Sequence, residues 1–204
     1  MSKNIIVFGA SSTWGAWDRE MGGWVNRLRL YLDNRKNPSD KILLYNFSIS
    51  GATSSDLLKR IEVELQATSP KIVVLSLGLN DSAYWANKKS HAIPLRKFIK
   101  NLEKIYQEAK KYTDDIICVG PQNVTEKITS PVAWDKNVIY KNEYIKTYQQ
   151  AFQRFSQDNK LIFIELFGLL ENNDLEDGLH PNTKGHEKIF EKVKNDLIKN
   201  KLIN

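Results

Sequence analysis

Five apolar runs rich in β-branched residues recur along the chain: "NIIVFG" (4–9), "KILLYNF" (41–47), "KIVVLSLG" (71–78), "DIICVG" (115–120) and "LIFIEL" (161–166). They are continuous rather than alternating. A strand with one wet face alternates apolar and polar residues, so these runs belong to strands covered on both faces, as in a parallel sheet between helices. The stretches between them carry helical spacing. It is clearest at Leu95, Phe98, Ile99, Leu102, Ile105, Tyr106 and Ala109, which share one face of a helix expected over 94–112. Similar patterns lie near 22–35, 54–67, 138–157 and 184–200. Strand and helix alternating in this way predict a doubly wound α/β sandwich. The 204 residues fit one domain, 1–204, with no repeat, low-complexity tract or linker composition.

Two longer connections interrupt the rhythm, 79–94 and 121–137. Each follows the carboxyl end of a strand, where open α/β sheets bind ligands, so both are candidate pocket walls. No apolar run approaches the roughly 18 residues that span a bilayer, so no membrane partner is expected. "MSKNIIVFG" is too short in its apolar part for a secretory leader, which points to a cytoplasmic location. The net charge of +6 comes from lysines mixed with glutamates on helical faces, as in "LRKFIKNLEKIYQEAKK", which describes solvated surface rather than a phosphate-binding stripe. No nucleic-acid partner is expected. Cys118 is the single cysteine and lies in an apolar run, so it reads as core, and neither an intrachain disulfide nor a multi-cysteine metal site is possible.

Four short stretches carry candidate chemistry. "VFGASSTWG" places Ser11 and Ser12 just beyond the first strand, where a hydroxyl is open to substrate or caps the next helix. "NFSISGATSSD" offers Gly51, whose backbone N–H can face a reacting centre unobstructed, or which simply turns the chain. "GLND" sets Asn80 at the end of the third strand, able to aim its amide at a developing oxyanion or to form an Asx turn, while Asp81 beside it reads as a cap or loop brace. "DGLHP" spaces Asp177 and His180 so that the carboxylate can orient one imidazole nitrogen while the other acts as base. His91 and His186 lack such company and read as surface residues.

Taken together and in this order, "FGASST", "SISGATS", "GLND" and "DGLHP" resemble the four blocks of the SGNH hydrolases, the GDSL-type lipase and esterase superfamily, over residues 8–181. The resemblance implies a flavodoxin-like three-layer α/β/α fold with a five-stranded parallel sheet in order 2-1-3-4-5. It further implies Ser11 as nucleophile, with the Ser11 and Gly51 backbones and the Asn80 side chain as oxyanion donors. His180 is then the base and Asp177 its orienter. The implied activity is that of a serine esterase working through an acyl-enzyme, with no metal or organic cofactor and a small-molecule ester as partner. Two positions depart from the pattern: Ala10 stands where the family usually has aspartate, and Ser12 where it has leucine or isoleucine. Ala10 is the feature that favours the rival reading, a binding module that kept the fold and lost activity. Trp14, Trp17, Trp24, Tyr84, Trp85 and Trp134 lie in or near the pocket-forming connections, where Trp14, Tyr84, Trp85 and Trp134 are candidate substrate contacts and Trp24, in a helical pattern, reads as packing. No long apolar lid segment is visible, which favours small soluble esters, including acetylated carbohydrates, while lysophospholipid and thioester substrates stay open.

Overall fold

The computed structural model describes residues 3–35 and 41–203; Met1 and Ser2, part of the stretch read above against a leader, lie outside the described residues. In chain order the first half comprises β1 (Lys3–Phe8), α1 (Ser11–Trp14), α2 (Trp24–Asp33), β2 (Ile42–Asn46), α3 (Ser54–Leu57), α4 (Ile61–Thr68) and β3 (Ile72–Ser76). Then follow β4 (Tyr84–Trp85), β5 (Ser90–His91), α5 (Leu95–Lys110), β6 (Ile116–Val119), α6 (Glu126–Thr129), β7 (Val138–Ile139), α7 (Asn142–Asp158), β8 (Ile162–Ile164) and α8 (Thr183–Lys199).

The five continuous runs are β1, β2, β3, β6 and β8. They form one parallel sheet in the order β2-β1-β3-β6-β8, which is 2-1-3-4-5 when only these strands are counted. Burial on both faces explains why the runs do not alternate. Ile5 and Val7 pack with Trp24, Leu28, Ile189 and Val193 from α2 and α8. Ile6 and Phe8, pointing the other way, pack with Leu57, Ile61, Phe98 and Phe152 from α3, α4, α5 and α7. Each such side chain contributes about 1.5–3 kcal/mol of apolar burial. Cys118 is buried in the second layer, where desolvation pushes its thiol up to about 12.

Three local expectations are corrected. The helix expected over 54–67 is two helices: α3 is anchored at Ser54 by Asp81, whereas α4 lays Ile61 and Leu65 on the sheet, and the chain breaks at Arg60 (φ −133°) to satisfy both. The helix expected from 138 begins at Asn142, because Val138 and Ile139 pair with β4. That pairing builds a small antiparallel sheet, β5-β4-β7, from the first long connection and the two residues that follow the second. The third correction concerns the histidines. His91 is half-buried, its Nδ1 within 2.9 Å of the Ser82 carbonyl, and His186 is fully buried. Gly23, before α2, has no side chain to cap that helix, and His186 does so from α8 by accepting the Trp24 N–H at Nδ1 (3.2 Å). Trp24 is packed in the core, as expected.

Candidate active site

The carboxyl ends of β1, β2 and β3 carry the first three blocks side by side. β1 ends at Phe8, and α1 starts at Ser11 after the extended residue Ala10, so the serine stands on a sharp strand-to-helix turn. Two further bonds fix that turn: Asn46 Nδ2 donates to the Thr13 carbonyl (3.0 Å) and Thr13 Oγ1 donates to Ser76 Oγ (3.0 Å). The end of α1 must then lie against the start of α2, since a Cβ on Gly23 would fall 2.2 Å from the Gly15 Cα.

From the other end of the chain, the loop before α8 brings His180 to Ser11, with Nε2 2.9 Å from the serine Oγ. On the far side of the ring, Nδ1 lies 2.8 Å from Asp177 Oδ2. The second Asp177 oxygen accepts the backbone N–H groups of Leu179 (3.0 Å) and His180 (2.8 Å). Burial pushes the Asp177 carboxyl up, but its bonds to the His180 ring and backbone, the His180 charge and the Leu179 N–H outweigh that, and it sits at about 2. A permanently charged carboxylate on Nδ1 favours the proton there, leaving Nε2 as an acceptor facing the hydroxyl. Ser12 is held elsewhere, since Gln122 Nε2 donates to its Oγ (2.9 Å) and to the Leu179 carbonyl (3.2 Å). The same glutamine thus ties the serine turn to the histidine loop.

Around this line lie the expected donors. No acceptor among the described residues takes the backbone N–H of Ser11 or of Gly51. Gly51 has φ +78°, a left-handed conformation natural to glycine, and nothing lies within 4 Å of where a Cβ would be. Asn80 donates through Nδ2 to the Ala52 carbonyl (3.0 Å), and its Oδ1 accepts from the Tyr140 hydroxyl (3.0 Å). Asp81 is the brace its position suggests: buried, it accepts the Ser54 N–H (3.0 Å) and hydroxyl (2.5 Å), joining the second and third blocks. A narrow cavity of about 20 Å³ beneath these segments is lined by Ala10, Ser12, Ala52, Gly78, Asn80 and Gln122, among others. Where the family pattern has a carboxylate, Ala10 leaves only a methyl group at its wall.

The aromatic candidates divide. Trp134 is brought to the site, exposed, with its ring 6.1 Å from the His180 ring. Trp14 is exposed three residues after Ser11, but it faces a separate groove of about 460 Å³ with Arg29, Tyr45 and Phe47, along the sheet edge at β2. Tyr84 and Trp85 are half-buried on β4; the ring neighbours of Tyr84 are His91 and Tyr144, while Trp85 lies under Lys88 and packs against the cluster that includes Tyr140 and Leu179, the residue before His180. Sequence reasoning missed Gln122 and Tyr140. Gln122 lies in a connection already marked as a pocket wall, whereas Tyr140 sat inside an expected helix and gave no signal.

Residues 7–188 match the model of the GDSL-like lipase/acylhydrolase family. A Homo sapiens protein named isoamyl acetate-hydrolyzing esterase 1 homolog is 26% identical over 136 residues, which is 59% of this chain and 53% of that protein. The Arabidopsis thaliana GDSL esterase/lipase CPRD49 is 24% identical over 192 residues, 89% of this chain and 73% of that protein. The matched region thus spans about half the length of the human relative. Among solved structures, the lipase/acylhydrolase from Enterococcus faecalis superposes with a TM-score of 0.78 at 21% identity, covering 97% of this chain and 96% of that one. The psychrotrophic esterase EstA from Pseudoalteromonas sp. gives 0.74 at 23% identity, with full coverage of both chains. At these identities the structural likeness shows the shared fold.

Proposed function

Because this chain belongs to the GDSL-like lipase/acylhydrolase family, we propose that it hydrolyses a small carboxylic ester through an acyl-enzyme on Ser11, with His180 as general base and Asp177 as its orienter. The observation that carries this reading is the unbroken line of two short contacts, Ser11 Oγ to His180 Nε2 at 2.9 Å and His180 Nδ1 to Asp177 Oδ2 at 2.8 Å. A serine hydroxyl is a weak nucleophile at neutral pH, and a base within hydrogen-bond reach takes its proton as the oxygen attacks the ester carbonyl. Asp177 stabilises the imidazolium that forms. The carbonyl oxygen becomes an oxyanion facing the Ser11 and Gly51 backbone N–H groups and the Asn80 amide, each such donor contributing about 2–4 kcal/mol at the transition state. His180 returns the proton to the leaving alcohol. Water, activated by the same imidazole, then attacks the acyl carbon and releases the acid and the free serine.

The acyl group is proposed to be short, with acetyl as the first choice. One observation supports this: the human relative is named as a homolog of an isoamyl acetate-hydrolyzing esterase. Trp134 offers an exposed indole beside His180, suited to flank the alcohol portion. Ala10 removes neither the hydroxyl nor any of the three donors, so its presence does not argue for an inert pocket. The test is a panel of p-nitrophenyl esters of increasing acyl length, run with Ser11→Ala and His180→Ala. Turnover is expected to peak at acetate and fall with length, and both variants are expected to lose it while keeping a cooperative thermal transition. Wild-type turnover by Ser11→Ala rejects the catalytic assignment, and a preference for long chains rejects the acyl assignment.

A further inference from the structure

We infer that Tyr140 is a positioning residue for this reaction: its hydroxyl fixes the Asn80 amide so that one N–H is presented to the oxyanion. The inference rests on the Ser11 reading and adds to it a residue that lies outside all four family blocks.

Hydrogen-bonding chemistry alone fixes which way the Asn80 amide faces. A backbone carbonyl can only accept, so whatever atom of Asn80 faces the Ala52 carbonyl at 3.0 Å must be the amide nitrogen. The amide oxygen then lies on the opposite side, against Tyr140 Oη at 3.0 Å. An amide oxygen also only accepts, so the phenol must donate. Burial, reinforced by the nearby Asp81, pushes the phenol above its ordinary value, which keeps it protonated and a donor at any working pH. Asn80 therefore has its oxygen committed and one N–H committed, and its second N–H is the group left for developing charge.

Both clamps are themselves anchored. Ala52 follows Gly51, another proposed donor, and Tyr140 directly follows β7, its N–H donating to the Thr129 carbonyl (2.8 Å) and its carbonyl accepting from Thr129 Oγ1 (3.0 Å). The strand that follows the second long connection thus ends where its next residue brings a hydroxyl to Asn80. Without it, the amide is held from one side only and can rock away from the geometry that a preorganised donor requires.

The experiment measures kcat and KM for p-nitrophenyl acetate in Tyr140→Phe, Asn80→Ala, the double variant and Ser11→Ala. Asn80→Ala is expected to lower kcat by about 10²–10³-fold. Tyr140→Phe is expected to lower kcat about tenfold, the kinetic equivalent of one ordinary hydrogen bond, with KM nearly unchanged. In the Asn80→Ala background, Tyr140→Phe should then cost nothing further. Wild-type kcat in either single variant overturns the inference, as do losses that multiply in the double variant or a raised KM with intact kcat, the mark of a structural defect. If Tyr140→Phe folds poorly, the Asn80 side-chain amide of the isotope-labelled unmodified protein decides by NMR. One N–H, that donated to the Ala52 carbonyl, should be protected from solvent while the other exchanges freely, and exchange of both at the rate of a free amide overturns the inference. Activity persisting in Ser11→Ala instead removes the catalytic reading on which the inference rests.

Discussion

Asp177 makes three hydrogen bonds with its two oxygens, one to the His180 ring and two to the backbone N–H groups of Leu179 and His180, and together they hold the imidazole in place. Replacing it by Asn keeps the shape but offers an N–H where the ring needs an acceptor, favouring the wrong tautomer. The Asp177→Asn variant is expected to lose on the order of 10⁴ in kcat with little change in KM, measured on p-nitrophenyl acetate. Gly51 allows a finer test of the oxyanion proposal, since open space surrounds the place of a Cβ and only the left-handed backbone resists one. Gly51→Ala is expected to fold with a loss of about 1 kcal/mol and to lose turnover as its N–H tilts away from the site. A variant with full turnover would place the donor elsewhere.

At the scale of elements, the connection between α1 and α2 is held by one buried carboxylate. Asp18 accepts the Met21 and Gly23 N–H groups and the Arg27 guanidinium, the last at 2.8 Å. Burial pushes its carboxyl up, but Arg27 and the two backbone donors prevail and hold it at about 2. Arg27→Met would strand that charge in the interior. The expected cost is about 3–5 kcal/mol, read as a fall of on the order of 10 °C in Tm. His186 works at the same junction from α8, accepting the Trp24 N–H at Nδ1 and donating from Nε2 to the Ala16 carbonyl (2.8 Å). Only the neutral ring can do both, because a second proton would set N–H against N–H. Burial accordingly lowers the His186 pKa below 6.5.

For the whole molecule these groups set how stability follows pH. The lowered His186 value means that the unfolded chain takes up a proton first, so stability is full above about pH 6.5 and declines as pH falls toward the folded value. Asp18, Asp56 and Asp177 are each held at about 2, from a usual 3.8, so their contributions are full above about pH 4 and disappear as pH falls through about 2. Melting temperature is therefore expected to decline in two stages on acidification. His186→Gln, which keeps a donor and an acceptor but does not titrate, should flatten the first stage only. The parallel sheet was legible in the sequence because burial on both faces writes itself into continuous apolar runs, and β1 to β3 then carry Ser11, Gly51 and Asn80 to one edge by topology alone. The β5-β4-β7 sheet was not, since its two-residue strands are too short to show a period. His186 and Tyr140 were missed for a related reason: their partners, Trp24 and Asn80, lie 162 and 60 residues away, and nothing local marks either contact.

The most direct test of the account is covalent. Treated with a fluorophosphonate and mapped by mass spectrometry, the protein should carry one phosphonyl group, on Ser11. Labelling should disappear in Ser11→Ala and persist in Ser12→Ala. An adduct on Ser12, or no adduct on a folded and unmodified chain, would contradict the claim that Ser11 and His180 form a nucleophile and its base.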